Sequence, residues 1–388
     1  MKTLPFFDDH AQTYKDFRRD LHAHPETAFE EVRTAKLIAD KLTSFGLEVT
    51  TGIGRTGVVA AYRKGDGPAI GLRADMDALD IYEMNDFAHK STNAGKMHGC
   101  GHDGHSTMLL AAAHYIAEHK PVKGTVYFIF QPAEENEGGA ATMIEDGLFD
   151  RFPMQAVFGM HNMPGLAVGK FAVKTGPFLA AFETFDITIN GVGGHSALPH
   201  FTKDPIVAAS QLVSALQTVV SRNLDPMKQA VLSVTKINGG TAYNVIPDSV
   251  KIAGSLRYFE LEHQDLLESR ISDICRGIAE SNQLEIGISF NQGYPPLINE
   301  DEQTRLAVDA MKVVVGDNNV NNEADAILGS EDFAFMLLNK PGCYVLIGNG
   351  TGVEGGCMIH NPHYDFNDAA MAVGATYWVR LCERLLPC

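Results

Sequence analysis

Thr125-Val126-Tyr127-Phe128-Ile129-Phe130-Gln131-Pro132-Ala133-Glu134-Glu135 is an unbroken apolar run that leads, through a proline, into two adjacent carboxylates. Apolar residues at consecutive positions, without alternation, predict a strand buried on both faces, as in a parallel sheet covered by helices. In such sheets the chemistry gathers beyond the carboxyl ends of the strands. Two further runs end in the same manner. Ala69-Ile70-Gly71-Leu72-Arg73 leads to Asp75-Met76-Asp77, and Ala156-Val157-Phe158-Gly159-Met160 leads to His161. One site at a shared sheet edge accounts for all three.

Around these strands the spacing predicts helices over 27–45, stopped by Gly46, and over 106–119. After about Phe182 the pattern changes. Alternating strands at 184–190, 230–235, 250–258 and 284–291 enclose helices at 205–220 and 264–281, an order of strand, helix, strand, strand, helix, strand. That is the order of a small ferredoxin-like α+β sandwich. A helix at 302–315, a buried strand at 342–348 and a closing helix at 367–382 then return to the first pattern. The fold class read from this is α/β with two domains. A catalytic α/β/α domain with a mostly parallel central sheet spans 1–183 and 296–388, and a smaller α+β domain at 184–295 is inserted as a lid or dimerisation domain.

Composition narrows the function classes. The 388 residues carry 31 basic and 48 acidic side chains, a formal charge of -17, with no basic stripe. Such a surface is a poor match for a phosphate backbone, so no nucleic-acid partner is expected. Apolar runs are too short to cross a bilayer, and the N-terminus reaches Asp8 and Asp9 without an apolar leader segment, so neither a membrane partner nor a signal peptide is expected. The six cysteines have no tight framework spacing and read as reduced thiols of a cytoplasmic protein.

His98-Gly99-Cys100-Gly101-His102-Asp103-Gly104-His105 packs thiol, imidazole and carboxylate into a glycine-loosened turn. A thiolate two residues from an imidazole can bind one metal ion with it. Two adjacent carboxylates such as Glu134 and Glu135 repel unless a cation intervenes; one then ligates while its neighbour stays free to move a proton. With His161 and His360 added, one thiol, one carboxylate and three imidazoles suffice for two divalent ions if one ligand bridges.

Over essentially its whole length the chain resembles the aminoacylase/carboxypeptidase family of metal-dependent amidohydrolases, in its hippurate hydrolase and indoleacetyl-amino-acid hydrolase branch. The residues that carry the resemblance are His22-Ala23-His24-Pro25-Glu26, Leu72 to Leu79, His98 to His105, Gln131 to Glu135, Gly194-His195-Ser196, Asn244 to Asp248, Gly329 to Phe333 and His360 to Asp368. The resemblance implies that Cys100 bridges two metal ions, with His102 and Glu135 completing one and His161 and His360 the other. It makes Glu134 the general base and later the proton donor to the leaving amine. His195 corresponds to the histidine that stabilises the tetrahedral oxyanion, reaching in from a partner subunit in many members, and Asn244 and Arg257 to positions that grip the substrate carboxylate. Where the wider family carries His-x-Asp, this chain has Asp75-Met76-Asp77, which favours the Cys-Gly-His ligand set; Asp77 or Asp103 would orient a ligand histidine.

The expected reaction is hydrolysis of an N-acyl amino acid, hippurate-like or N-acetylated, by metal-held hydroxide, with two divalent ions, Mn or Zn first and Co or Ni tolerated. A homodimer or homotetramer is expected. A dipeptidase or carboxypeptidase of the same family, acting on a dipeptide substrate, and a non-catalytic metal-stabilised binding protein are the alternatives.

Overall fold

The strand expected from Thr125 to Phe130 lies within Gly124–Gln131 of a computed structural model that describes residues 1–135 and 137–388. The chain begins with helices α1 (Pro5–Asp9), α2 (Ala11–Ala23) and α3 (Val32–Ser44), then strands β1 (Glu48–Ile53), β2 (Gly57–Lys64) and β3 (Ala69–Asp75). Next come α4 (His102–His119), β4 (Gly124–Gln131), α5 (Gly139–Glu145), α6 (Leu148–Arg151), β5 (Ala156–Pro164) and β6 (Phe171–Ala172). Along β7 (Gly176–Leu179) the chain enters a second unit. There it forms β8 (Ala181–Asn190), β9 (Gly194–His195), α7 (Pro205–Thr218), β10 (Ala230–Gly239), β11 (Val245–Ile246), β12 (Ser249–Tyr258), α8 (Glu262–Asn282) and β13 (Glu285–Gln292). It returns along β14 (Leu297–Asn299) to α9 (Asp301–Val315), β15 (Val320–Asn321), α10 (Ala334–Asn339), β16 (Gly342–Gly350) and α11 (Met371–Leu385).

The first unit comprises Met1–Phe178, Ile298–Asp325 and Asp332–Cys388. Its eight-stranded sheet has the order β1-β2-β4-β3-β5-β16-β6-β15. The centre, β4-β3-β5-β16, is parallel, while β1 and β2 add antiparallel strands at one side. Register decides where the chemistry lands. Asp75 pairs with Gln131 and Arg73 with Gly159, so the ends of β3 and β4 coincide and His161, two residues beyond Gly159, reaches the level of Asp75. β5 runs on to Pro164 because β16 continues beside it to Gly350, so His161 lies inside a strand rather than at its exit.

Phe128, Phe130 and Phe158 are fully buried against Leu109, Ala112 and Ile116 of α4 and Trp378 of α11. Each such aromatic contributes roughly 1.5–3 kcal/mol of hydrophobic stabilisation. α4 is buried along most of its length, so its polar residues are held inside the unit. It starts at His102, earlier than Ser106, because Gly101 turns the chain at φ +95 just before it. α3 starts later than expected, at Val32. Phe29 takes a left-handed φ of 61, and the Glu26 carboxylate accepts the Arg33 and Thr34 N–H groups at 3.0 and 2.8 Å, capping the helix from outside.

The second unit, Leu179–Leu297 with Ala326–Glu331, holds a four-stranded antiparallel sheet of order β10-β12-β8-β13. With α7 and α8 this is the ferredoxin-like arrangement, and Phe185, Ile187, Ile252, Leu212, Leu216 and Ile271 form its core. No helix among the described residues is long and apolar enough to cross a membrane.

Candidate metal centre

Parallel register brings the ends of β3, β4 and β5 to one edge, and the Gly99–Gly101 turn before α4 lays Cys100 against it. The His360 loop is tied to the same turn, since the His360 N–H donates to the Gly99 carbonyl at 2.7 Å. Cys100 Sγ lies 3.3 Å from His161 Nε2, and Glu135 Oε1 lies 3.2 Å from His360 Nε2 and 4.0 Å from His102 Nε2. The possible ligand atoms fall into groups within 4.8 Å: Cys100, His102 and His161; Cys100, Glu135 and His360; and His102, Glu134 and Glu135. Cys100 is common to the first two. The third group joins His102 to Glu135, as expected, while in the first two His161 lies with Cys100 and His102 and His360 with Cys100 and Glu135. The reason is that β5 places His161 beside the thiol, whereas the His360 loop reaches Glu135.

These side chains fit a pair of divalent ions. Among the described residues His102 Nε2 and Glu135 Oε1 are buried without a hydrogen-bond partner, a costly state that cation binding relieves. Burial and the carboxylates of Glu135, Glu134 and Asp75 push the Cys100 thiol well above its usual range, so deprotonation requires a cation nearby. Burial alone lowers the pKa of His102, but Asp75, Asp77 and Glu135 outweigh it and raise it to about 10. Burial and the neighbouring His105 hold His161 well below its usual value, leaving a neutral ring. Its Nδ1–H donates to the Asn162 carbonyl at 2.7 Å, so the Nε2 lone pair faces Cys100. Glu134 is 7% exposed, inside the donor group of His102 and Glu135.

In the second unit His195 and Asn244 are close neighbours. β9 pairs with β11, placing His195 opposite Val245, and the Ser196 N–H donates to the Asn244 carbonyl at 3.1 Å. Because the Ala197 N–H donates to His195 Nδ1 at 3.1 Å, the neutral ring carries its proton on Nε2 and has a donor to offer. Arg257 is half-buried, stacked 4.2 Å over the Phe182 ring and donating to Ser330 Oγ at 3.2 Å, so it is fixed rather than a loose surface charge. Burial lowers its pKa from the ordinary value.

Residues 71–384 match the model of peptidase family M20/M25/M40. The chain belongs to this family. It is 42% identical to the hippurate hydrolase of Campylobacter jejuni over 100% of both chains, and 40% identical to the N-acetyl-L-cysteine deacetylase of Bacillus subtilis over 95% of this chain and 87% of that one. Among solved structures, a dinuclear metal binding peptidase of the M20 family from Bacillus subtilis superposes with a TM-score of 0.85 at 33% identity, covering 98% of this chain and 99% of that one. This M20 protein is a metal-dependent hydrolase.

Around the M20 centre lies a shell of buried polar residues that sequence reading only partly found. Of the two aspartates expected to orient a ligand histidine, Asp77 reaches His102: its Oδ1 lies 3.1 Å and its carbonyl 2.9 Å from Nδ1. Asp103 does not take that role. It follows His102 on α4, where successive side chains diverge by about 100°, and it faces His22 Nδ1 at 2.9 Å and Arg18 at 3.2 Å. His105 was missed. Its Nδ1–H donates to the Asp75 carboxylate at 2.6 Å, and its Nε2 lies 2.7 Å from Asn162 Oδ1 and 3.0 Å from the Asn162 amide nitrogen. Asp75 is held well below the usual carboxylate range: burial opposes ionisation, but His102, His105 and Arg73 prevail. His98, the first residue of the quoted turn, is buried with both ring nitrogens unpartnered among the described residues, and burial pushes it down to about 4.

Proposed function

We propose that the chain hydrolyses the amide bond of N-acyl amino acids, hippurate-like or N-acetylated, to a carboxylic acid and a free amino acid. The observation that carries this is a buried Glu134 set beside two donor groups that share Cys100, with two of the donor atoms left without a hydrogen bond among the described residues. Cys100, His102, His161, Glu135 and His360 would hold two divalent ions, Mn or Zn first, which supply Lewis-acid activation of water and of the substrate carbonyl. Glu134 takes the proton from the attacking water and returns it to the departing nitrogen, so the amine leaves neutral. The Nε2–H of His195 donates to the carbonyl oxygen as negative charge develops there. Arg257, pre-organised by Phe182 and Ser330, forms paired hydrogen bonds with the free α-carboxylate, and Asn244 assists. The second unit is a lid or dimerisation domain of a homodimer or homotetramer acting in the cytoplasm.

The test is a panel. Protein loaded with Mn²⁺ or Zn²⁺ is assayed against N-benzoylglycine, N-acetyl amino acids and dipeptides, alongside Glu134→Gln. The expected result is turnover of the N-acyl compounds, with Glu134→Gln binding the same metal but losing about 10²–10⁴-fold in kcat. Turnover of dipeptides alone would replace the reading with a peptidase, and no turnover by the metal-loaded protein would leave a binding protein. Normal turnover by Glu134→Gln would remove it as the base.

A further inference from the structure

The loop that leaves β4 passes through Ala133 at φ 53, a left-handed conformation that costs a residue with a Cβ atom roughly 1–2 kcal/mol. Contacts on both sides hold it. The Ala133 N–H donates to Glu31 Oε1 at 2.9 Å, and the Ala133 carbonyl accepts from the Gly139 N–H at 2.9 Å. Position 139 must be glycine, since a Cβ there would collide with the Pro132 carbonyl oxygen. Two residues beyond Ala133, the Glu135 N–H donates to Asp77 Oδ2 at 2.9 Å. Glu134 is thus the single residue between two backbone amides, each gripped by a buried carboxylate.

We infer that Glu31 is a positioning residue for turnover: with Asp77 it clamps the backbone on either side of Glu134 and fixes the direction in which the Glu134 carboxylate points. The inference rests on the reading of Glu134 as the proton carrier. Glu31 has no solvent exposure, and its second oxygen accepts the hydroxyl of Thr56, in the turn between β1 and β2, at 2.7 Å, so both oxygens are committed and the first stays on the loop. Burial pushes its pKa up to about 7 against the hydrogen bond from Thr56, with Asp77 adding to the rise. An apolar side chain would fill this space without that desolvation cost. What Glu31 contributes in return is direction at Ala133. Either protonation state accepts from Ala133, and a glutamine reproduces the pattern, its Oε1 accepting from Ala133 and its Nε2 donating to Thr56 Oγ1.

The test compares Glu31→Ala, Glu31→Gln and Glu134→Gln in the metal-loaded full chain, reading kcat, KM, bound metal by elemental analysis and the thermal midpoint. Glu31→Ala is expected to lose about tenfold to a hundredfold in kcat, as a misplacement of about 1 Å does, with KM and bound metal unchanged. Glu31→Gln is expected to recover most of that loss. If Glu31→Ala does not fold, Thr56→Val takes its place, and a smaller fall in kcat at constant KM is expected. An unimpaired kcat in the variant that folds overturns the inference. So does loss of metal, or a Glu31→Gln no better than Glu31→Ala at equal thermal midpoint. Glu134→Gln separates the two readings: if it still turns over, the base assignment fails, whereas if it is inactive while Glu31→Ala is unimpaired, only the clamp fails.

Discussion

Asp77 uses both of its carboxylate oxygens, one beside His102 Nδ1 and the other on the Glu135 amide. Holding the Nδ1–H fixes the tautomer and leaves the Nε2 lone pair for a metal ion. Asp77→Ala is therefore expected to weaken metal binding by about 10–100-fold, measured by competition with a chromogenic chelator. Asp77→Asn keeps an acceptor for His102 and should lose less. Equal affinity in all three proteins would mean that the Asp77 carbonyl, 2.9 Å from the same nitrogen, orients the ring unaided. At this scale the sequence was legible wherever chemistry is local. Cys100 and His102 stand two positions apart, and Glu134 and Glu135 are adjacent. It was silent where partners are remote. Glu31 and Ala133 are 102 positions apart and His105 and Asn162 are 57 apart, so no spacing betrays either pair. The choice between Asp77 and Asp103 depended on the direction of a helix face, which a motif does not state.

Elements were legible to the extent that burial imposes a pattern. β3, β4, β5 and β16 are apolar on consecutive residues because helices cover both faces, and those strands were placed from sequence alone. The end of β5 was not, because its last residues are fixed by pairing with β16 rather than by their own character. In the second unit, Asp204-Pro205 is a helix start signal that the structure realises. Asp204 Oδ1 accepts the Ile206 N–H at 2.8 Å and the Val207 N–H at 3.4 Å, and Pro205 occupies the first turn, where no amide donor is needed. Asp204→Ala is expected to lower unfolding stability by about 1 kcal/mol, read as a shift in urea midpoint, and to leave bound metal unchanged because every proposed ligand lies in the first unit. A loss of metal in this variant would show that the two units are not energetically independent.

Taken whole, the molecule carries buried protons in both units, and their release governs stability against pH. His22 lies between Asp103 Oδ2 at 2.9 Å and Glu83 Oε1 at 3.2 Å. Burial favours its neutral form, but those carboxylates prevail and raise its pKa to about 9. Folding therefore binds this proton more tightly than the unfolded chain does at its ordinary value of 6.5. The stabilisation is complete below that value and is lost as pH rises through about 9. Glu183, in the second unit, is raised from 4.5 to about 8 by burial and by the neighbouring Glu268. Here too the folded state holds the proton longer, so stability falls as pH climbs from 4.5 towards 8. A formal charge of -17 adds self-repulsion in the same direction. The unfolding free energy of chelator-treated protein is accordingly expected to decline as pH rises above about 6.5, since below that value the depressed His98 and His161 act in the opposite direction, chelation being needed because metal binding itself releases protons. His22→Gln should flatten the decline mainly at its upper end and Glu183→Gln mainly at its lower end, because their titration windows differ. If both variants kept the full slope of the parent, the falling stability would have to come from Glu31 and His102, which are raised as well, or from the net charge, and added salt would abolish only the last.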